Sequence, residues 1–163
     1  MASYSGWVLL HIIGVAGFLI AHGASAVLTL RLKKESDPAR IRALLDLSGG
    51  TVAMMGISTL LLLVGGVVAT FVGHYWGQVW PWAAIAVLVL MMGVMTPIAA
   101  KYFNAVREAA GAQSYAMKKK GIEAGEPDPE RLATLLASNR PYAIAALGYG
   151  GLLVILWLMV YKP

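Results

Sequence analysis

All but one of the charges of this chain are crowded into two short segments. No Asp, Glu, Lys or Arg lies between Met1 and Arg31, between Asp46 and Lys101, or between Pro141 and Tyr161. In lipid every backbone polar group must be bonded internally, and about 20 apolar residues in helix cross a hydrocarbon core of roughly 30 Å. The chain therefore reads as an integral membrane protein. The apolar stretch 51–100 is too long for one span and is broken at Gly73-His74-Tyr75-Trp76-Gly77-Gln78. Four spans follow, at about 6–30, 47–73, 79–100 and 141–161, separated by charged loops 31–46 and 101–140. The expected fold is all-α: one transmembrane domain over 1–163, a four-helix bundle of two helical hairpins.

Of the 13 Lys and Arg, five lie between Arg31 and Arg42, seven between Lys101 and Arg140, and Lys162 stands alone. The positive-inside rule places both loops in the cytoplasm and both termini outside. Tyr4, Trp7, Tyr75, Trp76, Trp80, Trp82, Trp157 and Tyr161 fall at the opposite rim, as a one-sided aromatic belt. The first span has no positive segment before it, so it reads as a retained helix rather than a signal peptide. With 59% hydrophobic residues and a mean hydropathy of +0.71, the chain leaves no room for a separate soluble domain. The absence of Cys removes disulfides, thiolate ligands and thiol catalysis. The net charge of +5 belongs to loops beside an anionic leaflet, which attracts each basic residue by about 1 kcal/mol. The expected partners are the lipid bilayer and other membrane subunits or a second copy, not nucleic acid.

An internal repeat organises the loops. Asp37-Pro38-Ala39-Arg40-Ile41-Arg42-Ala43-Leu44-Leu45 matches Asp128-Pro129-Glu130-Arg131-Leu132-Ala133-Thr134-Leu135-Leu136 at an offset of 91. Asp suits an N-cap and Pro the first helical position, so each copy should start a helix that feeds directly into span two or four. A duplication would relate the hairpins by a parallel pseudo-two-fold; convergent capping chemistry would give the same pattern. Residues 103–108 should extend span three as helix, after which Gly111, Lys118-Lys119-Lys120-Gly121 and Gly125-Glu126-Pro127 read as a mobile link. That link is either a lysine-rich anchor on the membrane surface or a face for a partner.

Chemistry within the spans must come from histidine. Intramembrane ionisable residues mark proton and ion paths, and the absence of carboxylates from the spans argues against a carboxylate-based pump. His11 and His22 are eleven residues apart on span one, within about 20° of one face and about 16 Å apart along the axis. They cannot share a metal, but His11, Val15, Phe18, His22, Ser25 and Thr29 form one stripe. Gly14, Gly17 and Ala21 run beside it, small enough for a helix or a flat ligand to approach the backbone. His11 is level with Gly65 and Gly66, a notch for a porphyrin edge. His22 is level with Met54 and Met55, while Met91, Met92 and Met95 line the same half of span three. An imidazole among thioethers suits haem b or Cu(I). The plainer alternative ties each histidine by hydrogen bonds, for example to Ser25, Ser58 or Thr59, and lets the methionines simply fill space. His74 belongs to the interface. No catalytic set is legible.

Trp7-Val8-Leu9-Leu10-His11-Ile12-Ile13-Gly14, the Asp-Pro-x-x-Ile/Leu helix starts, Val64-Gly65-Gly66 and Leu158-Met159-Val160-Tyr161-Lys162-Pro163 together resemble a bacterial family of uncharacterised four-span integral membrane proteins. That family is similar to the copper-resistance D proteins and the J-type protoporphyrinogen oxidases. The resemblance implies a plasma-membrane four-helix bundle with a functional His in span one, associated with haem b in the J-type oxidases; by position it is His11. The basic residues those oxidases keep near the membrane site have no counterpart here. Two functions are thus expected: a non-catalytic accessory subunit packed against a larger membrane complex, or a haem- or copper-binding redox protein using His11 and His22.

Overall fold

The computed structural model describes residues 2–163, and no strand occurs among them. The helices are α1 (Ala2–Leu32), α2 (Pro38–Val72), α3 (Val79–Ala109), α4 (Tyr115–Lys120), α5 (Pro129–Ala137) and α6 (Arg140–Tyr161). Four helical segments are long and apolar enough to cross a membrane: α1, α2, α3 and the stretch formed by α5 and α6. The chain is a multi-pass membrane protein. α1 packs along α2 and α3 along α6, while contacts between the two hairpins are sparse.

Both repeat copies start helices, and the capping is as their residues dictate. The Asp37 carboxylate accepts from the Ala39 amide at 2.8 Å and the Asp128 carboxylate from the Arg131 amide at 2.9 Å. The copies then diverge. α2 runs unbroken from Pro38 to Val72, whereas α5 stops at Ala137 and α6 starts afresh at Arg140. Pro141 explains the break, because a proline ring collides with the carbonyl four residues back, here that of Ala137. Pro97 inside α3 does not end its helix, which continues to Ala109. Neighbouring helices make such a lost bond tolerable in lipid.

The loop 110–128 is more ordered than its glycines and lysines suggest. Gly111 and Gly121 sit at φ 70° and 65°, the left-handed positions that close α3 and α4. The Ala112 amide donates to the Arg107 carbonyl at 2.8 Å and the Ile122 amide to the Met117 carbonyl at 3.0 Å. The Asp128 amide reaches the Ala109 carbonyl at 2.9 Å, which pins the start of α5 to the end of α3.

The repeat positions meet in one core. Ile41 and Leu45 from the first copy pack with Leu132 and Leu136 from the second, around Leu32, Tyr102, Val106, Ala109 and Ala110. This core lies at the basic end, where the Lys33 ammonium donates to the Ser138 carbonyl and sits 4.9 Å above the Tyr142 ring. The aromatic residues gather at the other end. Tyr75 and Trp80 have ring centres 5.9 Å apart, and the Lys162 ammonium lies 5.7 and 5.6 Å from them.

Candidate functional site between the hairpins

Small residues bring α1 and α2 into backbone contact. A Cβ on Gly14 would run into the Leu62 backbone, one on Gly17 would lie 2.6 Å from Ser58 Oγ, and one on Gly65 would lie 2.6 Å from the His11 amide nitrogen. Gly66 admits the His11 ring itself: a Cβ there would stand 2.7 Å from Nδ1. The imidazole thereby reaches over the helix, and its Nδ1 lies 2.7 Å from the Leu62 carbonyl. A carbonyl only accepts, so Nδ1 carries a proton, and in the neutral form of the ring it is Nε2 that offers the lone pair. The notch at Gly65 and Gly66 is therefore filled by α1 and the His11 ring, which leaves no space there for a porphyrin edge.

The open space is on the other side of His11. A cavity of about 310 Å³ separates the hairpins, with walls from all four long helices: His11, Val15 and Phe18 of α1, Gly66 and Thr70 of α2, Ala84 and Leu88 of α3, Ile155 and Met159 of α6. Its lining is almost wholly apolar. The Thr70 hydroxyl donates to the Gly66 carbonyl at 2.8 Å, as threonines in lipid do, which leaves His11 as the titratable side chain on this wall.

His22 has a different setting. It is 6% exposed, stacked on Phe18 at 5.8 Å and met edge-on by Tyr149 at 5.0 Å. Neither ring nitrogen has a hydrogen-bond partner among the described residues. The expected tie to Ser25, Ser58 or Thr59 is therefore not made. Thr59 donates instead to its own helix, to the Met55 carbonyl at 2.8 Å, and the Ser58 hydroxyl faces Gly17. Met54 is 42% exposed on the bundle surface and Met55 is half-buried. Met95 is the methionine brought to His22. The position a Gly148 Cβ would occupy is 2.8 Å from His22 Nε2 and 3.2 Å from Met95 Sδ. No cluster of three or more His, Asp or Glu able to hold a metal occurs among the described residues.

No protein-family model, curated protein or solved structure matches the chain. Function rests on the site.

His74 is exposed in the aromatic-end turn at φ 59°, the left-handed position of the motif that closes α2. The following Tyr75 amide returns to the Thr70 carbonyl at 2.8 Å. Arg107 was not foreseen from sequence. Its guanidinium is buried at the basic end, donating to Asp46 Oδ1 at 2.9 Å and to the Leu45 carbonyl, with the Tyr115 ring centre 5.4 Å away. It ties α3 to α2. Asp46 itself is exposed, so the pair is compensated rather than stranded.

Proposed function

We propose that this chain is a prosthetic-group-carrying subunit of a larger membrane complex, with a flat apolar group, haem b first, in the cavity between the hairpins and His11 Nε2 as its nitrogen ligand. The observation that carries this is the hydrogen bond from His11 Nδ1–H to the Leu62 carbonyl. Metal-ligating histidines characteristically donate their other nitrogen to a carbonyl or carboxylate, which fixes the tautomer and raises ligand basicity. The apolar lining suits a macrocycle, and the volume lies at the lower end of small-ligand sites. Lys162 at the aromatic end is the cation nearest in sequence to the cavity wall at Met159, a partner for a carboxylate at the mouth. The wall offers no second titratable side chain, so the role is to hold the group and not to perform acid–base catalysis. The resemblance to the J-type oxidases agrees with His11 as the ligand. By the positive-inside rule the basic end faces the cytoplasm of a bacterial plasma membrane, with the cavity in the outer half.

The test is the visible spectrum of protein purified in detergent from haem-replete cells. The native chain should show a Soret band that His11→Ala abolishes or strongly shifts and that His74→Ala leaves unchanged. Ala84→Phe, which fills the cavity but keeps His11, should also lose it. A colourless native protein would overturn the haem reading and leave an accessory helix bundle.

A further inference from the structure

We propose that the polar pocket between α2, α3 and α4 at the basic end holds the phosphodiester group of one anionic phospholipid, with Lys118 and Arg107 as its cations. The pocket encloses about 110 Å³, and every side chain on its wall is polar or charged: Asp46 of α2, Arg107 of α3, then Gln113, Tyr115 and Lys118. Sites for whole small molecules begin at about 300 Å³, so this one suits a headgroup rather than a complete ligand. The wall is built by the fold. Arg107 is 5% exposed, and Asp46 and the Leu45 carbonyl take two of its five N–H donors. Tyr115 stands against α2, where a Cβ on Gly49 would lie 2.7 Å from its hydroxyl, and its ring centre is 5.4 Å from the guanidinium. The Tyr115 amide donates to Asn104 Oδ1 at 3.3 Å and the Gln113 side chain to the Ile122 carbonyl at 2.8 Å, so α4 is tied on both flanks. Lys118 is thereby held at the wall. Its ammonium forms no ion pair or hydrogen bond among the described residues.

Charge and depth select the ligand. Arg107 and Lys118 against Asp46 leave one positive charge in the pocket. A phosphodiester carries one negative charge and cancels it, whereas a phosphomonoester, at about −1.5 to −2 near pH 7, overshoots. Asp46 is the last charged residue before the charge-free run 47–100, so the pocket lies where the hydrocarbon core gives way to headgroups. Basic pockets between membrane helices at this depth take lipid headgroups, and guanidinium and ammonium make charge-assisted bonds to phosphate oxygens. A lysine-rich surface anchor would weigh Lys118, Lys119 and Lys120 alike. Of the three, only Lys118 lines the pocket.

The experiment uses the full-length protein in detergent, freed of lipid and titrated with phosphatidylglycerol, phosphatidylcholine or inorganic phosphate, with bound molecules counted by native mass spectrometry. One phosphatidylglycerol should bind saturably, and phosphatidylcholine, whose own cation meets Lys118, much more weakly. Excess inorganic phosphate should not displace the lipid. Lys118→Gln, at an exposed position, should weaken phosphatidylglycerol binding about tenfold without moving the thermal midpoint of the lipid-free protein, while Lys119→Gln should change binding less than about twofold. His11→Ala should leave it intact, which separates this site from the haem proposal. Equal losses from Lys118→Gln and Lys119→Gln would reduce the pocket to diffuse surface attraction and overturn the site, as would the absence of saturable binding. Displacement by inorganic phosphate would overturn the lipid as its source of phosphate.

Discussion

The two ends of the bundle solve the problem of joining the hairpins in opposite ways. At the basic end Ile41, Leu45, Leu132 and Leu136 interlock around Tyr102 and Val106, and Arg107 stitches α3 to α2. At the aromatic end the hairpins stand apart around about 310 Å³ of space. Water accounts for the difference. Apolar side chains at the membrane surface gain from leaving water, whereas within lipid the surroundings are as apolar as leucine and association relies on close van der Waals fit. The hairpins are held together where burial is driven and left apart where it is not. Residue type does not make this division, since large aliphatics form both the repeat core and most of the cavity wall.

The largest effect should come from loosening the driven end. Leu45 is fully buried, so Leu45→Ala should cost about 2–5 kcal/mol, read as a lowered midpoint for thermal or denaturant unfolding in detergent. A cost like that of an exposed residue such as Leu90 would show that the basic end is not the joint. An intermediate effect should follow inside the first hairpin. Gly17→Leu must displace Ser58 and α2, at about 1–3 kcal/mol, while the same change at the exposed Ala86 should be close to silent. Equal tolerance at both would mean that the small stripe of α1 does not set the helix spacing. The smallest effect should be at the cavity. Val15 lines the cavity and is only half-buried, so Val15→Leu should change stability by no more than about 0.5 kcal/mol. A penalty as large as that of Leu45→Ala would contradict the contrast between the ends.

The spans and helix starts were readable because each rests on a local rule. Long charge-free runs allow only helix in lipid, and Asp37-Pro38 and Asp128-Pro129 cap their helices as their side chains require. The level of His11 with Gly65 and Gly66 also followed, since helical rise converts residue count to depth. Which of two bodies would fill that notch did not follow, because a helix backbone and a ligand edge ask for the same glycines. The surroundings of His22 were misjudged through Thr59: a threonine in a membrane helix bonds back to its own carbonyls, here Met55, and is no longer free for a neighbour. The junction of α5 and α6 carried its signal in Pro141, which the repeat obscured. Met95 at Gly148 and Arg107 at Asp46 depend on the register between separate helices, which no local rule supplies. The run Gly148-Tyr149-Gly150-Gly151 was the available hint that α6 would accept bulky neighbours.

The backbone contact of Gly14 and Gly65 bears on how the molecule is assembled during synthesis. Every residue it needs lies before Val72, so the first hairpin can close in the bilayer while the rest of the chain is still being translated. The cavity has no such independence. One of its walls is α6, which emerges after α1, α2 and α3, so a nascent chain arrested before Arg140 would hold a finished first hairpin and His11 with no enclosure around it. Any group that settles between the hairpins must therefore arrive after α6 has been made or be present as that helix closes over it.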